Sequence, residues 1–170
     1  MYDYNTHITL WEQSLIRIVD VCHGFLNPQG RTQLSCAHGS VFLYAIGVNG
    51  QACLNNVPNM INRRHLFHAG KGTELTISAA NHWLEYYMVT YKTEMSLLPH
   101  SVRMRLLENG DPFDMMYSIH PSNPAFFTAQ FKQIADNWKN HTPLKRLHVK
   151  TAFYRIVYEL YDELQSGSAA

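Results

Sequence analysis

Phe67-His68-Ala69-Gly70-Lys71-Gly72-Thr73-Glu74-Leu75-Thr76-Ile77 reads as a strand that breaks at a glycine-flanked lysine and restarts as a second strand. In the restart, Leu75 and Ile77 point one way while Glu74, Thr76 and Ser78 point the other. That is the two-residue period of a sheet with one wet face. Gly70 and Gly72 permit positive backbone angles on both sides of Lys71, so a tight corner is expected there. Before this stretch the chain reads as strands, and one more strand follows at once. Beyond Leu97 it becomes helical.

Working upstream, Leu15–Cys22 is rich in β-branched residues and reads as the first main strand, ended by Gly24 and Asn27-Pro28-Gln29-Gly30. Trp11 just before it is expected to pack over an end of the barrel. Val41–Val48 is the next strong strand. Asn49-Gly50 after it is the best short hairpin signal in the chain, with Gln51–Leu54 as the expected partner strand. Met60–Phe67 then leads into the corner. Downstream, Trp83–Lys92 carries apolar residues at both parities, the mark of a central, well-covered strand. Many short strands broken by Gly, Asn and Pro argue for a sandwich or closed barrel.

Ser101–Asn109 is expected to be a short helix with Leu106 and Leu107 inward and Asn109-Gly110 as its stop. The apolar loop from Asp111 to Ser118 should pack back on the barrel. Ser122-Asn123-Pro124 and Thr142-Pro143 each place a capping side chain before a first-turn proline. The helices they open carry Phe127, Phe131, Ile134 and Trp138 on one face, and a Val149–Leu164 stripe on the other helix. The fold class expected is thus mainly β with about three C-terminal helices. A single domain spans 1–165, its barrel at about 8–95 and its helical part at 99–165. Residues 166–170 read as a linker.

A chain of 170 residues with 46% hydrophobic and 12% aromatic content supports one buried core. Its net charge of +1 supplies no overall field for holding nucleic acid. No apolar run has the length to span a bilayer, and no leader pattern is present. Cys22, Cys36 and Cys53 form no C-x-x-C pair and read as free thiols, so a cytoplasmic location is expected.

Chemistry-bearing patterns are sparse. His38, His65, His68 and His82 are the histidines that a barrel metal site would draw on, but they lack the alternate spacing on one strand that such a site needs. No metal and no cofactor are expected. Gly70-Lys71-Gly72 is either an anion cradle or a plain β corner. Glu12, Asp20, Glu74 and Glu85 make no acid–base pair, and the chain is not expected to be an enzyme. Phe42 and Tyr44 share one strand face, as do Tyr87 and Tyr91. Turned into an open barrel, they line a pocket for a small organic ligand; otherwise they fill a closed core. Tyr154, Tyr158 and Tyr161 form an aromatic stripe beside the apolar stripe of the last helix, residues 143–165, and are the expected dimer interface.

Several motifs occur together in order: Phe42-Leu43-Tyr44, His68 to Leu75, Glu85 to Lys92, Asp111-Pro112-Phe113 and His148 to Tyr154. In this the chain resembles the N-terminal domain of AraC-type transcriptional regulators of Gram-positive, Paenibacillus-like bacteria. It is most similar to members that continue into a helix-turn-helix module and a siderophore-binding-protein-like domain. The resemblance implies a cupin-like double-stranded β-helix, a jelly-roll barrel that senses a small-molecule effector; in siderophore-linked members a siderophore-related effector is read by the far C-terminal domain. It also implies helices that form a homodimer, with DNA bound only through a C-terminal module absent from this chain. The different-class alternative is a small metal-dependent cupin enzyme, an isomerase or dioxygenase.

Overall fold

The 15-residue strand Ser40–Leu54 (β3) holds the architecture together, because it exchanges neighbours along its length. In the computed structural model, which describes residues 4–167, the chain opens with a helix at Tyr4–Glu12 (α1) and a strand at Ser14–Leu26 (β1). Arg31–Ser35 (β2) precedes β3; Val57–Ala69 (β4), Glu74–Ser78 (β5) and Leu84–Ser96 (β6) follow it. His100–Leu107 (α2), Tyr117–Ile119 (β7), Pro124–Trp138 (α3) and Pro143–Ser166 (α4) complete the order. All pairings are antiparallel, and the main path runs β1-β6-β3-β4-β7. The first half of β3 lies between β6 and β4. From Gln51 onward its β6 side is taken by β5, which pairs in turn with β2.

This exchange folds the sheet into two layers with a dry interior. Val41, Leu43, Ala45, Ala52 and Leu54 of β3 meet Phe67, Leu75, Ile77 and Met88 there. The opposite face of the same strands carries Phe42, Tyr44, Val89 and Tyr91, buried beneath α1, α3 and α4. With apolar residues at both parities, β6 is central, as expected of it, between β1 and β3.

Asn49-Gly50 does not make the hairpin expected of it. Asn49 takes a positive φ of 59° at a register shift between Val48 and Gly50, a β-bulge inside a continuous strand. The extra residue exchanges parity, so that Ala45 before it and Ala52 after it both face inward. The hairpin lies six residues on, where Asn55 (φ 48°) and Asn56 (φ 64°) form a two-residue turn between Leu54 and Val57. Two positive φ angles are what the right-handed twist of paired strands demands of such a turn.

At the opening corner, only Gly72 has a positive φ, 86°. Gly70 serves close approach instead: a Cβ there would lie 2.6 Å from the Asp114 carbonyl oxygen. The 111–116 loop therefore packs back on the sheet, as expected, and continues into β7, an element not foreseen, which pairs with β4. Nor does β1 end at Gly24. It continues to Leu26, and Gly24 clears the Tyr86 ring, whose atoms come within 2.4 Å of where a Cβ would stand.

Both helix starts match their sequence signals. Asn123 caps α3 by accepting from the Phe126 N–H, Thr142 caps α4 by accepting from the Lys145 N–H, and proline opens each helix. Gly167 closes α4 in the left-handed conformation. Of the expected linker, residues 168–170 lie outside the described residues, and Ser166 still belongs to α4. The buried Glu163 carboxylate ties the two helices together by accepting from the Ser122 N–H, at 3.1 Å, and the Ser122 hydroxyl, at 2.8 Å.

Candidate ligand and partner sites

Phe42, Tyr44, Tyr87 and Tyr91 do share one face of the sheet, but it is the face that the helices cover. Their rings are buried against other rings, and none of them lines the three grooves described below, so the open pocket expected of them is replaced by a filled core. Tyr44 stacks parallel on Phe131 at 5.0 Å, and Phe42 packs on Tyr91, Trp11 and Phe153. The physical reason is room. The inner face of β3 carries aliphatic side chains because Phe67, Tyr86 and Met88 of its neighbours already fill the space between the layers, whereas helices standing off a sheet leave a gap that aromatic rings fill. Alternation along β3 defines two sets of residues without saying which one turns inward.

Each of these phenols has a directional partner. The Tyr44 hydroxyl donates to the Pro124 carbonyl at 3.1 Å and lies 2.9 Å from Thr128 Oγ1. Tyr91 donates to His68 Nε2 at 2.6 Å, and His68 Nδ1 donates to the Met115 carbonyl at 2.6 Å. Burial holds the His68 imidazole down at about 4, so it is neutral near pH 7 with both nitrogens engaged. His65 is also held down at about 4 by burial; it donates to the Met60 carbonyl and stacks on His120 at 3.9 Å. His38 and His82 are exposed elsewhere. Among the described residues no group of three His, Cys, Asp or Glu side chains is disposed to hold a metal ion. The three cysteines are free, and burial pushes the Cys36 thiol up to about 11.

Sequence reasoning missed the cluster around Tyr87. Its hydroxyl donates to Glu85 Oε1 at 3.0 Å, the same oxygen lies 2.8 Å from His23 Nε2, and the His23 ring stacks on Tyr87 at 4.2 Å. His23 and Tyr87 are directly opposite on β1 and β6, a pairing that the unforeseen extension of β1 creates.

The tyrosines of α4 do not act as one surface. Tyr161 is buried and accepts from the Trp11 indole N–H at 3.1 Å. Tyr154 is half-buried beside Phe153. Tyr158 is 71% exposed, and the same solvent side of α4 carries Leu144 at 74% and Leu147 at 61%. The exposed apolar side of α4 is therefore Leu144, Leu147 and Tyr158. A groove of about 190 Å³ runs beside Tyr158, lined by Ile8, Trp11 and Val157. A second of similar size opens by Leu54, Val57, Phe67 and Met116, and a third, about 310 Å³, lies between β1 and the start of α4.

No family model matches this sequence, and no curated protein matches it. Solved structures similar to it include a cupin-2 domain protein from Rhodospirillum rubrum, 12% identical, with a TM-score of 0.38 over 69% of this chain and 78% of that one. A cupin protein from Bacteroides fragilis is 10% identical, with a TM-score of 0.40 over 53% of this chain and 84% of that one. ToxT from Vibrio cholerae is 8% identical, with a TM-score of 0.37 over 54% of this chain and 34% of ToxT. The fold itself is an antiparallel β structure followed by C-terminal helices. No helix among the described residues is long and apolar enough to cross a membrane.

Proposed function

We propose that the chain is the regulatory and dimerisation domain of an AraC-type transcriptional regulator. It acts on DNA only through a separate helix-turn-helix module and is not an enzyme. The sequence motifs that resemble that family support this reading, and the exposed side of α4 carries it. Leu144, Leu147 and Tyr158 leave three large apolar side chains in water on a helix whose other side is fully engaged.

Their spacing favours an antiparallel pairing of two copies. Leu144 and Tyr158 are equidistant from Thr151, so a two-fold axis at Thr151 sets Leu144 of one copy against Tyr158 of the other. The charges agree with that direction. Lys145 lies at the start of α4, before the axis, and Glu159 and Asp162 lie after it, so opposite signs meet across the axis. Tyr154 and Tyr161, engaged within their own chain, contribute nothing to this interface. The metal-dependent enzyme alternative has no comparable support, since His68 already spends both ring nitrogens on Met115 and Tyr91.

Sedimentation equilibrium tests the reading. The chain should be a dimer at micromolar concentration, and Leu144→Glu and Tyr158→Glu should each give a folded monomer. A dimer that survives both substitutions, or a wild-type chain that stays monomeric at high concentration, refutes it.

A further inference from the structure

The groove between β1 and α4 has a composition that the other two lack. Its floor is Ile16 and Val149, both buried, and its walls are Leu15 and Ile18 of β1 and the Trp138 ring at the end of α3. Charged groups gather at the rim. Arg17 and Glu94 neutralise one another at 3.0 Å. Arg146 and Lys150, one turn apart on α4, remain, and neither pairs with a carboxylate among the described residues. The Arg146 guanidinium lies 3.7 Å over the Trp138 ring, and its terminal nitrogen reaches His141 Nδ1, which fixes its position at the groove.

Arg146 sits where the helix disfavours a cation. The first turn of α4 holds Lys145 and Arg146 and no acidic residue, although the backbone dipole there favours negative charge. A bound anion in the groove would pair with both side chains at once. The apolar floor and the tryptophan wall would take a flat or aliphatic body, and about 310 Å³ admits a small organic molecule.

We propose that this groove binds a soluble organic anion, a carboxylate or sulfonate with a compact apolar body. Arg146 and Lys150 hold the anionic group; Ile16, Val149 and Trp138 hold the body. The site faces β1 and is separate from the solvent side of α4 that carries Leu144 and Tyr158. For a regulator, it places an anionic effector against the helix that joins the two copies. That consequence rests on the regulatory reading; the binding itself does not.

The test titrates anilinonaphthalene sulfonate into the intact chain and follows its fluorescence, with uncharged phenylnaphthylamine as control. One sulfonate per chain should bind saturably. The Arg146→Gln/Lys150→Gln double variant should weaken it about tenfold or more, while the uncharged dye changes less than about twofold. Leu15→Glu, which adds a carboxylate to the wall, should weaken the sulfonate in the same sense. Both variants change partly exposed positions, and circular dichroism checks their fold. Tyr158→Glu should retain full sulfonate affinity, so failure of the interface and failure of this site are distinguishable. Soluble naphthoate should displace the dye. The proposal is overturned by sulfonate binding that neither variant changes, by equal loss of both dyes in the double variant, or by displacement with anionic lipid vesicles but not with naphthoate.

Discussion

The two faces of β3 are built on different principles, although they alternate residue by residue. The inner face, Val41, Leu43, Ala45, Ala52 and Leu54, holds its place by volume alone. The outer face adds direction to volume: Tyr44 is bonded to the start of α3, and beside it Tyr91 of β6 reaches through His68 of β4 to the 111–116 loop. Volume makes a core, whereas directional bonds decide where the covering helices and loop sit on it. The inner face should therefore answer only to packing changes, and the outer face also to pH and to the loss of single hydroxyls.

The largest effect expected is from truncating the outer face at its centre. Phe42→Ala removes a ring packed on Trp11, Tyr91 and Phe153, and should cost about 3–5 kcal/mol in chemical denaturation. Leu43→Ala, its inner neighbour, should cost about 2–5 kcal/mol without altering the pH dependence. A pH dependence that changed with Leu43→Ala would break the comparison.

Acid should act through two buried imidazoles, His68 against the outer face and His65 beside Phe67. The His68 imidazole has an ordinary value of 6.5 and is held down at about 4 by burial in the folded chain, so unfolding takes up a proton between these values. Stability is therefore intact above pH 6.5 and falls as pH drops towards 4, by roughly 3 kcal/mol from this group. Thermal melts across that window should show the loss, and a His68→Asn variant should show a shallower one. A flat profile in the wild type would mean that His68 is not held neutral.

Glu163→Ala should cost about 1–3 kcal/mol, because it strips a buried acceptor from the Ser122 N–H and hydroxyl at the foot of α3. Smallest of all is a pair of phenol deletions that sharpens the point about direction. Tyr91→Phe leaves His68 Nε2 without its donor and should cost about 1–2 kcal/mol. Tyr117→Phe should be neutral or stabilising by up to about 1 kcal/mol, because its buried hydroxyl has no partner among the described residues. Equal effects of the two would indicate that hydroxyl direction does not matter here.

What the sequence discloses follows the same division. The Leu75–Ile77 alternation and the caps at Asn123 and Thr142 were legible because each signal is local and complete within a few residues. Asn49-Gly50 and Asn55-Asn56 are both dipeptides suited to positive φ. Only the cross-strand partner decides which becomes a bulge and which a turn. The ring tetrad was legible as a set but not as a direction, since a two-residue period is blind to which side the helices cover. The split among the tyrosines of α4 depends on α1, whose polar opening residues hide the buried His7, Leu10 and Trp11. Trp11 is what takes Tyr161 out of the expected interface and leaves Tyr158 with Leu144 and Leu147. The β1–α4 groove needs the fold to bring Leu15 and Ile16 to α4; its one sequence signal was Arg146 and Lys150 a turn apart near a helix start without acids.

The antiparallel pairing of α4 is the claim from which regulation would follow, and distances between spin labels test it most directly. Labels at Thr151 of the two copies should lie close together near the axis, within about 20 Å with their linkers. Labels at Leu144, seven residues from the axis, should stand about 21 Å apart along the helix direction alone, at 1.5 Å per residue on each side, and labels at Tyr158 the same. A short distance at Thr151 flanked by two longer, equal ones is the predicted result. Equal short distances at all three positions would mean parallel helices, and no measurable coupling at any of them would mean that α4 does not join the copies.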